Sequence, residues 1–261
     1  MSNPGIRLAY GPERLQFGDL HLPDGAGPFP AAILIHGGFW RKPYDLTLMT
    51  GLAADLARRG IAAWNIEYRR VGDANGGWPN TLLDAAQAAD YVLTLGARYP
   101  LDLDKIVTIG HSAGGQIALW LAARHRIPPG SVLAPPHTPF ALAGAISQAG
   151  AIDLEMTWRM NLGSGAAAEL LGGSPTKVPD RYAAASPAAL LPLGVPHVLV
   201  HGTIDDRVPY AMSEAYFTAA QAADDDVTLI TLQGVDHFAL IDPASQAWAK
   251  TVAALQKLLI A

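Results

Sequence analysis

Short apolar runs alternate along the chain with longer stretches in which apolar positions recur every three or four residues. The runs at 6–9, 14–22, 31–35, 61–68, 106–109, 141–147, 197–200 and 227–232 are bounded by Gly, Pro, Asn or charged residues, and they read as strands. The stretches 46–59, from Asn80 or Thr81 to about Arg98, 112–124, 208–223 and 243–259 read as helices. Gly60 closes the first helix, and Asn80 or Thr81 caps the second. This alternation predicts an α/β fold with a mostly parallel eight-stranded sheet and helices on both faces. The first two strands are separated by a turn at Gly11-Pro12 with no helix between them, so they are expected to pair antiparallel at one edge. Residues 127–139 are Pro-rich and read as a surface loop. Residues 153–191 carry Gly163, Gly165, Gly172-Gly173 and three prolines, and read as a short lid-like excursion rather than a second domain. No internal repeat is evident.

Composition narrows the picture. A chain of 261 residues, half of them hydrophobic and 16% charged, suits one large α/β domain and two small ones equally well, and the run of elements favours a single domain over residues 1–261. The net charge of -5 and the lack of a long basic run argue against a nucleic-acid or membrane partner. The chain has no cysteine, which excludes disulfides, thiolate metal sites and a cysteine nucleophile. Met1–Tyr10 lacks the basic and apolar regions of a secretory signal, and no apolar run reaches the ~18 residues that span a bilayer. A soluble, cytoplasmic protein is expected.

Chemistry concentrates in four loops. Gly110-His111-Ser112-Ala113-Gly114 matches GxSxG and lies between a predicted strand and a predicted helix, which is the context of a nucleophile elbow. Small residues two positions either side of Ser112 let strand and helix approach. A serine hydroxyl is a weak nucleophile without a base in hydrogen-bond reach. Among eight histidines, His237 lies just after the last strand, at the same predicted sheet edge as Ser112. His36 and His111 read as loop-shaping, and His197 and His201 as backbone partners. The acid belongs between serine and histidine in this chain order. Asp205 and Asp206 both qualify by position; Asp205 is favoured, with Asp206 capping the helix that follows. For the oxyanion, Ala113 N–H follows the nucleophile, and Gly38 and Phe39 lie in the glycine-rich loop after the third strand.

Together, His36-Gly-Gly-Phe-Trp40, Gly110-His-Ser112-Ala-Gly-Gly115, His201-Gly-Thr-Ile-Asp205-Asp-Arg-Val-Pro209 and Asp236-His237-Phe238 resemble the α/β-hydrolase group that contains kynurenine formamidases (arylformamidases) and small bacterial carboxylesterases. The resemblance runs from about Pro30 onward and includes Tyr68-Arg69-Arg70, Leu170-Leu-Gly-Gly-Ser174 and Ala185-Ser186-Pro187. It implies the α/β-hydrolase fold and acyl transfer to water from a small ester or an N-formyl amide, without metal or organic cofactor.

Trp40, Trp78 and Trp158 are candidates for the wall of a substrate pocket, with Met156 and Met160 beside them. Glu67 and Arg69 are read as a structural ion pair. The expected partner is a small-molecule ester or formamide, and a homodimer is left open. The alternatives are a peptidase of the same fold, which usually needs an extra domain, and a non-catalytic small-molecule binder, which typically lacks the nucleophile or the base.

Overall fold

The computed structural model describes residues 5–260; Met1–Pro4 and Ala261, part of the domain read from the sequence, lie outside the described residues. Eight strands run β1 (Ile6–Ala9), β2 (Phe17–His21), β3 (Phe29–Ile35), β4 (Ala62–Ile66), β5 (Leu101–His111), β6 (Gly144–Gln148), β7 (His197–Gly202) and β8 (Val227–Leu232). They form one sheet in the order β1-β2-β4-β3-β5-β6-β7-β8. The β1/β2 and β2/β4 pairs are antiparallel, and every later pair is parallel. The expected antiparallel edge and parallel body are both present.

The helices are α1 (Thr50–Arg58), α2 (Asn80–Asp90), α3 (Val92–Gly96), α4 (Ala113–Ala122), α5 (Leu154–Arg159), α6 (Ala166–Leu171), α7 (Pro179–Ala185), α8 (Tyr210–Ala222) and α9 (Gln246–Ile260). Alternate residues of each central strand face opposite layers. Ala32, Leu34, Val107, Ile109 and Val200 pack with Leu52, Leu56, Trp248 and Leu255 of α1 and α9. Ile33, Ile35, Trp64 and Leu199 pack with residues of α2, α4 and α8, including Leu82, Ile117, Met212 and Tyr216. α4 is buried along its whole length, so it is apolar on every side rather than amphipathic.

Several boundaries differ from expectation for local reasons. Residues 46–49 form a 3-10 turn before α1, with Asp45 accepting from Thr47 N–H. The single helix expected from 80 to 98 is two helices, α2 and α3, that meet at Tyr91. Neither Asn80 nor Thr81 caps α2. Its flanking residue is Pro79, while the Thr81 hydroxyl accepts from Gly77 N–H and donates to the Arg69 carbonyl. The excursion at 153–191 holds the three short helices α5–α7, the first capped by the Asp153 side chain on Met156 N–H. No helix among the described residues is long and apolar enough to cross a membrane.

Candidate active site

Ser112 stands alone between the last residue of β5 and the first of α4, at φ 57° and ψ -121°. That region is sparsely populated for a residue with a Cβ and costs roughly 1–3 kcal/mol unless the surroundings enforce it. Here they do. Ser112 N–H donates to the Gln148 carbonyl at 2.8 Å, and the Ser112 carbonyl accepts from Gly115 at 2.9 Å and Ala151 at 3.2 Å. A Cβ on Gly110 would collide with the Gly114 backbone, and one on Gly114 with the Ile35 carbonyl. Both glycines are therefore required by backbone contact between strand and helix.

The Asp205 loop follows β7 and the His237 loop follows β8, the two strands nearest one edge of the sheet. Gly202, the last residue of β7, lies so close to the Val235 carbonyl that a Cβ would overlap it, which draws the two loops together. His237 Nδ1 donates to Asp205 Oδ2 at 2.6 Å, with both side chains almost fully buried. Asp205 Oδ1 accepts from the backbone N–H of Arg207 and of Val208, each at 2.8 Å. His201 Nε2 approaches Asp205 Oδ2 to 3.2 Å from another side. Burial opposes ionisation of Asp205, but the hydrogen bonds from His201 and His237 and the charge of His237 outweigh it. The carboxyl is held well below the usual carboxylate range. Asp206 points to solvent beside Arg207 and does not cap α8, whose flanking residue Pro209 makes no side-chain cap.

The loop after β3 lies against Ser112. A Cβ on Gly37 would stand 2.8 Å from Ser112 Cβ and 2.7 Å from the His111 carbonyl. Gly38, Phe39 and Trp40 follow with φ of 106°, 51° and 56°, three left-handed residues in a row that turn the backbone around the serine. Ala113 opens α4, so its N–H has no carbonyl four residues earlier to take it. Ser112, Ala113, Gly38, Phe39, Asp205 and His237 thus all sit on loops at the carboxyl ends of the strands.

Of the three tryptophans expected to line a pocket, Trp40 is corrected. It is fully buried in the core, and its indole N–H donates to Gln116 Oε1 at 3.0 Å. The Gln116 amide in turn donates to the Ala185 carbonyl. Trp40 is thus an anchor of the loop after β3, and a side chain with no accessible surface cannot contact a substrate. Trp78 is partly buried, with the Arg181 guanidinium 5.4 Å from its ring. Trp158 is exposed on α5. Phe39 lies over Gly163 of the excursion, Arg41 pairs with Glu169 at 2.7 Å, and Trp78 N–H donates to the Leu170 carbonyl at 2.8 Å. Glu67 and Arg69 do not form the expected ion pair with each other: Glu67 meets His36, Leu46 N–H and Arg70, and Arg69 makes a bidentate pair with Asp84.

Sequence reasoning passed over two histidines. His201, taken for a backbone partner, does meet the Val208 carbonyl at 3.0 Å, but it also meets the acid. Its spacing of four from Asp205 was the available signal. His111, taken for loop-shaping, places Nε2 3.0 Å from the backbone carbonyl of His237 and packs its ring 4.4 Å from that of His237. The two are 126 positions apart, and no local pattern marks the pair. Burial, and secondarily the charge of His237, push the His111 imidazole down to about 3. Among the described residues, no cluster of three His, Asp or Glu side chains is arranged to hold a metal ion.

Known proteins share this architecture. The truncated form of a carbohydrate esterase from gut microbiota aligns over 100% of this chain and 97% of its own, with a TM-score of 0.86 at 20% sequence identity, a likeness of fold. A probable isoprenylcysteine alpha-carbonyl methylesterase from Oryza sativa subsp. japonica is 28% identical over 244 residues, covering 88% of this chain and 56% of the relative. A kynurenine formamidase from Aspergillus versicolor is 33% identical over 126 residues, covering 43% of this chain and 41% of the relative. The chain spans about half the length of these curated relatives, or less. Residues 19–219 match the family described as BD-FAE, and the chain belongs to that family of α/β hydrolases.

Proposed function

We propose that the protein is a serine hydrolase that cleaves a small carboxylic ester or an aryl formamide through an acyl-enzyme intermediate. The observation that carries this reading is the buried Asp205–His237 pair, 2.6 Å apart, brought to the same sheet edge as a serine held at φ 57°. His237 Nδ1 carries a proton donated to Asp205, which leaves Nε2 as the acceptor for the Ser112 proton. Ser112 Oγ attacks the carbonyl carbon, and the negative charge that develops on its oxygen is met by the N–H groups of Ala113, Gly38 and Phe39. The collapsing intermediate expels the alcohol or amine, which takes the proton from His237. Water then enters with His237 again as base, and the carboxylic acid or formate is released.

Two features support a compact acyl group. Phe39 crowds the oxyanion loop and is itself covered by the excursion at Gly163. With Trp40 withdrawn into the core, Phe39 alone supplies that bulk. An aryl leaving group is favoured by Phe238. Its ring meets the His237 ring edge-on at 5.3 Å and is 52% exposed, so it offers an aromatic surface beside the base. The methylesterase and formamidase relatives are consistent with either acyl donor.

The test is kcat/KM across p-nitrophenyl acetate, butyrate, octanoate and palmitate below micelle-forming concentrations, beside N-formylkynurenine. Each methylene that fits an apolar pocket contributes up to about 0.8 kcal/mol, whereas overpacking costs roughly 1–3 kcal/mol. A maximum at acetate or butyrate is expected, and a maximum at octanoate or beyond would refute the compact site. Faster turnover of the formamide would select the formamidase reading, and an inert formamide the carboxylesterase one. A wild-type protein that neither turns over these substrates nor reacts with a fluorophosphonate would defeat the serine-hydrolase reading.

A further inference from the structure

We propose that His111 is a positioning residue that fixes the depth of His237 relative to Ser112. The inference rests on the serine-hydrolase reading and goes beyond the triad. A backbone carbonyl only accepts, so the 3.0 Å contact from His111 Nε2 to the His237 carbonyl requires the His111 proton on Nε2. His111 Nδ1 is then a bare acceptor, and it is buried without a hydrogen-bond partner. It faces Gly37, where a Cβ would stand 3.3 Å away, a tight contact. Burial pushes the imidazole down to about 3, which keeps it neutral near pH 7. The ring is therefore a fixed, uncharged wedge between the oxyanion loop and the base, with centroid 4.4 Å from the His237 ring.

The placement matters because His111 is the residue immediately before Ser112. The nucleophile and the carbonyl of the base are joined through one side chain and one peptide unit. Asp205 acts elsewhere on His237: through Nδ1 it sets the rotation of the ring about its own bonds. It does not set how far the main chain of the loop stands from the elbow. Gln148 adds a longer connection. Its carbonyl takes Ser112 N–H at 2.8 Å, and its side-chain amide donates to the Leu240 carbonyl at 2.8 Å, three residues beyond the base. His111 makes the direct connection. A misplacement of about 1 Å between nucleophile and base lowers turnover on the order of 100-fold.

The test compares His111→Gln with His111→Asn. Both carry the same amide, but the Gln amide nitrogen can occupy the place of Nε2, while that of Asn is one methylene short. Turnover of p-nitrophenyl acetate is measured per serine titrated with a fluorophosphonate, with melting temperature recorded alongside. The Gln variant is expected to keep kcat within about 5-fold of wild type. The Asn variant is expected to lose on the order of 100-fold in kcat with KM changed less than about 3-fold. Equal kcat in the two folded variants, whether both high or both low, overturns the proposal. So does an Asn variant that fails to fold while Gln is active, since that places the residue in the architecture alone. A wild type that labels and turns over beside an indifferent Asn variant defeats this inference and leaves the serine-hydrolase reading intact.

Discussion

Replacing Asp205 by Asn changes one atom, and the structure fixes which way the new amide must face. Oδ1 receives two backbone N–H groups, from Arg207 and Val208, at 2.8 Å each. Those donors can be satisfied only if the amide oxygen takes the Oδ1 position. The NH2 group is then forced into the Oδ2 position, 2.6 Å from His237 Nδ1 and 3.2 Å from His201 Nε2. Two donors cannot face each other there, so His237 must move its proton to Nε2, the nitrogen that has to accept from Ser112. The wrong tautomer is expected to lower kcat by up to ~10⁴, or about 5.5 kcal/mol of transition-state stabilisation. Asp206→Asn provides the contrast. Its side chain is 71% exposed and lies 3.4 Å from Arg207, a surface contact that should leave kcat within about 2-fold of wild type. The assay is steady-state hydrolysis of p-nitrophenyl acetate, normalised to the serine titrated by a fluorophosphonate. An Asp205→Asn enzyme within 10-fold of wild type, or an Asp206→Asn enzyme slower than it, would refute the reasoning.

Ser112→Ala should lose 10³-fold or more in kcat and keep a wild-type far-UV spectrum; near-normal turnover in a contamination-checked preparation would remove Ser112 as nucleophile. Gly37→Ala places a methyl group 2.8 Å from Ser112 Cβ and 2.7 Å from the His111 carbonyl, so kcat should fall more steeply than KM rises, read by the same ester assay. Stability should fall as pH is lowered from about 6.5 toward 3. The folded-state value of His111, about 3, lies below that of an unfolded imidazole, so its contribution is complete above ~6.5 and is lost as protons bind the unfolded chain first. That difference is worth on the order of 5 kcal/mol, and His111→Gln should flatten the dependence of urea midpoint on pH over that range. His21 and His197, also pushed down by burial, contribute in the same direction and remain in the variant.

The parallel body of the sheet and its antiparallel edge were legible because short apolar runs alternating with period-3.6 stretches report directly on burial, whereas the strand order was not. The elbow was legible because its glycines are demanded by local backbone contacts, Gly110 against Gly114 and Gly114 against Ile35. What local pattern could not reveal depends on partners far along the chain. Trp40 is withdrawn from the crevice by Gln116, 76 residues away, and nothing in His36-Gly-Gly-Phe-Trp40 distinguishes an aromatic facing substrate from one facing core. The break at Tyr91 lies within an unbroken helical pattern. The sequence favours Asp205 over Asp206 without giving the physical reason, which is that the Asp205 carboxylate turns inward to the Arg207 and Val208 N–H groups.

The contacts between the oxyanion loop and the excursion bear on how substrate enters. Phe39 over Gly163, Arg41 on Glu169 and Trp78 N–H on the Leu170 carbonyl tie the 162–171 stretch to the loop that would hold the tetrahedral oxygen in the proposed reaction. A flap bound this way cannot swing open without dragging the oxyanion donors off their target, so opening and catalysis would oppose each other. Interfacial activation, in which an oil–water boundary lifts a cover from a lipase site, is mechanically unsuited to such a molecule. Its rate against a dissolved ester should rise hyperbolically through the solubility limit, with no jump where droplets or micelles appear.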